Sequence, residues 1–195
     1  VFGSAACCGK ILDLEKHTMT SCFGLAGSQA LGIHAYMAEG MRTKAIYIGK
    51  AAETGVRSSY LAAQGIPGPI WVLEAEDGGF LNCFSRGRHY LSEATWKVGE
   101  EFVTKHIQFK KYPCCHYNHA YIEAVKKVLQ EHVIDPNQIK KIIAYGTKRY
   151  KISIGGPDRY EPKDVFAAQF SLPYIVGRTI VDKEINLDSF SEEKI

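Results

Sequence analysis

The fold is decided by residues 43–64, which read TKAIYIGKAAETGVRSSYLAAQ. This long stretch holds no proline, and Gly65 and then Pro67 follow it as helix-stop signals. Small side chains allow a neighbouring helix to approach closely, since the distance between helix axes depends on the residues at the contact. The segment therefore predicts a buried central helix. Its small residues are Gly49, Ala51, Ala52, Gly55, Ser58, Ser59, Ala62 and Ala63.

Further helices are predicted on both sides of this central helix. Residues 2–12 are small and apolar and predict a first helix. A second helix, capped by Thr18 or Thr20, is expected to run to about Gly32, because its apolar residues recur with helical spacing. Residues 69–74 and 78–85 predict two shorter helical pieces. The sequence therefore predicts that residues 1–100 are part of an all-helical domain.

The pattern changes near residue 100. Residues 106–110 alternate in polarity, and residues 139–147 are rich in β-forming residues, so both are predicted to be strands. Residues 117–133 form an amphipathic helix pattern, and a last helix is expected over residues 162–181, bent at Pro173. The predicted fold class is α plus α/β, with a smaller α/β domain over residues 101–195.

Composition excludes several classes of function. The chain has 195 residues, a net charge of +3, 46% hydrophobic and 23% charged residues, which is typical of a globular protein. The charges are interspersed, which argues against a nucleic-acid partner. A membrane partner is not expected, because no apolar run reaches the roughly 20 residues that a membrane span needs. Six cysteines, two pairs of them adjacent in sequence, predict reduced thiols and a cytoplasmic location.

A first candidate site is the triplet Arg42, Thr43 and Lys44 at the start of the central helix. Cations are unfavourable at a helix N-terminus, whose free N–H groups attract anions. The triplet makes sense if an anion lies between the helix and the cations. The alternative is a pair of solvated charges on a loop.

A second candidate site is residues 110–119, which read KKYPCCHYNH and precede the amphipathic helix. Two lysines and two histidines predict a carboxylate clamp with an acid/base histidine. One alternative is a metal bound by Cys115, His116 and His119, although the spacing is unlike known zinc motifs. Another is a structural helix cap with cysteines packed as small apolar residues. Tyr150, taken by itself, is predicted to be a packing aromatic.

Several segments together resemble the MmgE/PrpD family. They are FGSAA at residues 2–6, LAGSQA at 25–30, TKAIYIGKAA at 43–52, KKYPCC at 110–115 with His119, and FSLPY at 170–174. The family includes 2-methylcitrate dehydratase, cis-aconitate decarboxylase and iminodisuccinate epimerase. The resemblance implies a large helical domain, a smaller α/β lid domain, and an active site in the cleft between them.

The resemblance also implies roles for individual residues. Lys44, Lys110 and His119 are expected to be catalytic. Substrate binding is expected from Arg42, Thr43, Lys111, His116 and Tyr150. The expected substrate is a small di- or tricarboxylate, with no metal and no organic cofactor, in a protein that forms a homodimer.

The function expected from the resemblance is a cofactor-independent lyase or isomerase acting next to a carboxylate, with dehydration as the preferred reaction and decarboxylation or epimerisation as alternatives. The alternative from a different class is a non-catalytic split or degenerate homologue that serves binding or assembly. In the family, the Asp and His residues most often assigned to acid/base catalysis lie before the position that matches Val1. We therefore expect the sequence to be a piece of a longer protein and residues 1–195 alone to be inactive.

Overall fold

A computed structural model of the chain describes residues 1–33, 43–85 and 88–195. The described residues belong to two compact units, one of Val1–Ile33 and Thr43–His106 and one of Ile107–Ile195. The division into domains at residues 1–100 and 101–195 stays a prediction. Within the described ranges, no helix is both long and apolar enough to span a membrane.

The first unit is helical, as the sequence predicted. Its helices are α1 (Phe2–Ile11), α2 (Lys16–Ser28), α3 (Thr43–Ala63), α4 (Phe80–Ser85) and α5 (Leu91–Ala94), followed by a 3-10 turn at Val103–His106. α2 begins earlier than predicted, because Glu15 in extended conformation is its N-cap and neither Thr18 nor Thr20 caps it. α3 ends as predicted, with Gly65 at a positive φ of 83° shortly after it.

Helices α1, α2 and α3 pack around a core of small side chains, Ala5, Cys22, Ala26 and Ala62. Gly55 of α3 lies directly against α1, where a Cβ atom would collide with the Ser4 side chain and the Ala5 backbone. Ser4 Oγ donates to the Ala51 carbonyl oxygen at 2.9 Å, which joins the two helices. The small buried residues of α3, among them Gly55, Ser58, Ser59 and Ala62, therefore set the helix spacing, as predicted. The prediction of a buried helix holds for this face alone, because Gly49, Ala52 and Ala63 of the same helix are exposed.

The second unit is also built from helices. They are α6 (His119–Glu131), α7 (Lys148–Ile154), α8 (Val165–Gln169) and α9 (Leu172–Asp182), with 3-10 turns at His116–Asn118, Pro136–Gln138, Pro157–Arg159, Leu187–Phe190 and Glu192–Lys194. α6 and α9 pack together, and the core between the elements of this unit contains Tyr112, Cys114, Ile122, Ala168, Ile175, Ile185 and Phe190.

The single helix predicted over residues 162–181 is two helices. Ser171 separates them and caps α9, since its Oγ accepts a hydrogen bond from Tyr174 N at 3.0 Å. The same hydroxyl donates to the Arg159 carbonyl oxygen at 2.5 Å, so its direction is fixed from both sides. Pro173 lies in the first turn of α9, where its missing N–H group is harmless, so it starts this helix where the sequence analysis placed a bend.

The predicted strands, and with them the α/β lid, are wrong for the part of the chain that the structure describes. Residues 103–106 form a 3-10 turn and residues 107–110 are irregular. Residues 139–147 have no regular structure, and their hydrophobic side chains Ile142 and Ile143 are exposed. A strand is stabilised by hydrogen bonds to a neighbouring strand, and the described residues place none beside this segment.

Candidate active site

The loop that leads into α6 is held by backbone hydrogen bonds and a buried asparagine. Cys115 N donates to the Gln169 carbonyl oxygen at 2.9 Å, and Asn118 Nδ2 donates to the same oxygen at 3.3 Å. Asn118 is fully buried. The loop is therefore tied to the end of α8, and the side chains on it have a defined frame.

Lys110 is turned back over this loop. Its Nζ donates a hydrogen bond to the Cys114 carbonyl oxygen at 3.0 Å, although Lys110 itself is an exposed residue. A neutral carbonyl leaves the ammonium charge uncompensated. The ammonium is therefore available to a carboxylate that approaches from solvent.

His119 is the first residue of α6 and is half-buried. Its ring lies edge-on to the Tyr112 ring, with centroids 5.3 Å apart, and 4.8 Å from the ring of His116. Its Nε2 atom is buried and has no hydrogen-bond partner among the described residues. Such an atom is an unoccupied proton acceptor.

Burial lowers the pKa of His119, and the neighbouring His116 and Lys110 lower it further. Backbone hydrogen bonds to Cys114 and Tyr112 act in the opposite direction. His119 is therefore neutral at physiological pH and suited to accept a proton.

Lys111 has a different partner from Lys110. Its ammonium forms an ion pair with Glu123 Oε1 at 2.5 Å, and the Tyr112 hydroxyl donates to the same oxygen at 2.6 Å. The sequence analysis missed Glu123. Its spacing four residues after His119, which places both on one face of a helix, was the available signal.

Tyr150 lies in the same unit as this cluster. Thr147 caps α7 by accepting a hydrogen bond from Tyr150 N, and the Tyr150 ring stacks on Tyr117 with centroids 4.4 Å apart. Tyr150 also lines a cavity of about 640 Å³, together with Tyr121 and Lys151 among others. The structure thus brings Tyr150 to the His116–Asn118 turn through Tyr117.

Thr43 and Lys44 lie in the first unit, at the start of α3, and both are half-buried. Thr43 Oγ1 is buried and lacks a hydrogen-bond partner within the described ranges. Arg42, the third member of this candidate site, lies outside the described residues. The predicted roles of all these residues in substrate binding stay predictions.

The metal alternative named Cys115, His116 and His119. Among the residues that the structure describes, no three His, Cys, Asp or Glu side chains come together in a way that could hold a metal ion. Burial raises the pKa of Cys114 to about 12, with Cys115 adding to the effect and Lys110 opposing it, so this thiol stays protonated. Cys114 is a packing residue, as one alternative predicted.

The fold and this cluster define a helical protein with an exposed lysine beside a neutral, half-buried histidine. Residues 1–92 match the MmgE/PrpD N-terminal domain, and residues 112–195 match the MmgE/PrpD C-terminal domain. The chain belongs to the MmgE/PrpD family. The predicted resemblance is confirmed.

Three curated relatives are named after cis-aconitate decarboxylase. Cis-aconitate decarboxylase of Aspergillus terreus is 28% identical over 94% of this chain, and the cis-aconitate decarboxylase-like protein oryM of Aspergillus oryzae is 29% identical over 97%. Human cis-aconitate decarboxylase is 26% identical over 99% of the chain. The chain spans 39%, 42% and 40% of these three relatives, about two fifths of their length.

Proposed function

We propose that this chain is part of a cofactor-independent lyase that decarboxylates a small tricarboxylate of the cis-aconitate type. The observation that carries the proposal is one loop that holds the Lys110 ammonium on the Cys114 carbonyl oxygen and ends at His119, whose buried Nε2 has no partner among the described residues. The printed names of the curated relatives support decarboxylation over the dehydration that the sequence analysis preferred.

The chemistry needs a cation and a proton carrier at one place. The bond between the carbon skeleton and one carboxylate breaks, CO₂ leaves, and the electron pair stays on the skeleton, delocalised toward a remaining carboxylate. A fixed ammonium stabilises the charge that develops there. A proton then adds to the carbon, and the carrier is a histidine in our proposal.

His119 suits the role of proton carrier because its state responds to the substrate. In the free protein it is neutral, since burial, His116 and Lys110 lower its pKa. A multiply charged anion beside it favours the protonated ring. Substrate binding therefore favours protonation of the His119 ring, and the reaction consumes this proton. In this proposal Nε2 delivers it.

Lys44 is a further substrate-contacting cation in this proposal. The buried Oγ1 of Thr43, without a partner in the described part of the chain, supports a ligand at the start of α3. Arg42, His116 and Tyr150 complete the proposed binding set. Lys111 is paired with Glu123 and is not assigned to this set.

We further propose that the protein is a cytoplasmic homodimer, as the resemblance implies. The six cysteines form no disulfide with one another, which supports a reducing compartment. Light scattering on the purified intact protein measures the oligomeric state directly.

The test is to assay the intact purified protein on cis-aconitate, 2-methylcitrate and iminodisuccinate in parallel, with the His119→Gln variant beside it. We expect CO₂ release from cis-aconitate and its loss in the variant. Turnover of either other compound with none of cis-aconitate would replace decarboxylation by another family reaction. Binding of all three without turnover would favour the non-catalytic alternative.

A further inference from the structure

Glu123 binds two consecutive residues of the candidate loop through a single oxygen. Oε1 accepts from Lys111 Nζ at 2.5 Å and from the Tyr112 hydroxyl at 2.6 Å. The hydrogen bond from Lys111 and then that from Tyr112 hold the pKa of Glu123 below its ordinary value. The carboxylate is therefore charged throughout the neutral range and holds the loop against α6.

Tyr112 carries this contact to His119. The Tyr112 side chain is buried in the core of the second unit, and its ring meets the His119 ring edge-on at 80°. His116 lies beside His119, with the two ring centroids 4.8 Å apart. The orientation of the His119 ring thus depends on where Tyr112 is held.

Glu123 and His119 are four residues apart on the same rigid helix, so they lie on one face. The loop between Lys110 and His119 leaves this helix at one end and is fastened to it again by Glu123. Cys114, whose carbonyl oxygen receives the Lys110 ammonium, lies inside that closed loop. Glu123 therefore fixes one end of this loop to α6, while Cys115 and Asn118 fix it to Gln169.

We propose that Glu123 is a positioning residue. It binds the loop to α6 through Tyr112 and Lys111, and so holds the His119 ring in place relative to Lys110. The inference rests on the proposed function for its catalytic consequence. The contact between Glu123 and Lys111 also explains why the loop carries two adjacent lysines. Glu123 takes the charge of Lys111, so Lys110 is the cation of this pair that meets the substrate.

The test uses Glu123→Gln, which keeps the size of the side chain and removes its charge. Glu131→Gln is the matched control, because Glu131 lies on the same helix and pairs with an exposed lysine, Lys127, at 4.0 Å. Tyr112→Phe is a second variant that removes only the hydroxyl. The intact protein is labelled with ¹³C on histidine rings, and His119 is assigned with His119→Gln.

In Glu123→Gln we expect the His119 ring resonances to shift, because the ring current of Tyr112 acts from a changed position. We expect kcat/KM on cis-aconitate to fall by about tenfold, as misplacement of a reacting group does, mostly in kcat. Glu131→Gln should match the wild type in every measurement.

A contact that served stability alone would lower Tm and leave the His119 resonances of the folded protein unchanged. Unchanged His119 resonances in both Glu123→Gln and Tyr112→Phe would therefore overturn the proposal. If Glu123→Gln does not fold, Tyr112→Phe decides by the same criterion. Absence of turnover in the wild type would refute the proposed function, while the His119 resonances would still test whether Glu123 positions the ring.

Discussion

Lys110 donates a hydrogen bond from its ammonium to the carbonyl oxygen of Cys114, 3.0 Å away and four residues further along the chain. The contact folds the lysine back toward the end of the loop where α6 begins with His119. A carbonyl oxygen is a weaker partner for an ammonium than a carboxylate is. A substrate carboxylate can therefore displace the Cys114 carbonyl oxygen as the partner of the Lys110 ammonium.

Cys114 should resist alkylation. Burial raises the pKa of its thiol to about 12, so at pH 8 almost no thiolate is present. Cys7 and Cys83 are exposed and should react with iodoacetamide under the same conditions. Peptide mass spectrometry after a timed reaction measures each site. Modification of Cys114 as fast as Cys83 in the folded protein would show that its burial is wrong.

His119 should make stability depend on pH. Its pKa is lowered in the folded protein, so between that pKa and the ordinary value of 6.5 the unfolded chain binds more protons. The stability due to the neutral ring is therefore complete above 6.5 and declines as pH falls below it. Urea unfolding from pH 7.5 to 5.0 should show a steeper decline in wild type than in His119→Gln. Parallel curves would contradict the lowered pKa.

Gly55→Ala should destabilise the first unit by about 1–3 kcal/mol, because its Cβ would collide with Ser4 and Ala5 of α1. Gly49→Ala is the control in the same helix. A Cβ there meets nothing within 4 Å, so the change should stabilise by about 0.5–1 kcal/mol through helix propensity. Chemical denaturation of both variants gives the comparison. Equal effects of the two substitutions would contradict the close approach of α1 and α3.

The sequence predicted the elements whose signals are local. The small residues of α3 and the apolar face of α6 repeat within a few turns, and both helices lie close to where the pattern placed them. The candidate cluster was also found, because Lys110, His116 and His119 fall within ten positions of one another. The contacts that these three residues make depend on the folded loop.

Contacts between distant residues were missed. Residues 139–147 have strand-forming composition, but a strand exists only with a partner, which no local pattern supplies. Residues 148–154 form α7, which the sequence analysis did not predict, because the Thr147 side chain caps a helix there. Glu123 was overlooked since its partners Lys111 and Tyr112 are 12 and 11 positions away.

In the proposed mechanism Lys110 acts on the substrate beside His119. The most direct measurement is kcat/KM on cis-aconitate for the intact protein with Lys110→Ala, compared with Lys127→Ala. Lys127 lies on α6, is exposed and pairs only loosely with Glu131 at 4.0 Å. Loss of a charged contact worth about 1.5–3 kcal/mol predicts a drop of at least about tenfold for Lys110→Ala. Lys127→Ala should be unchanged, and equal activity of the two variants would contradict the account.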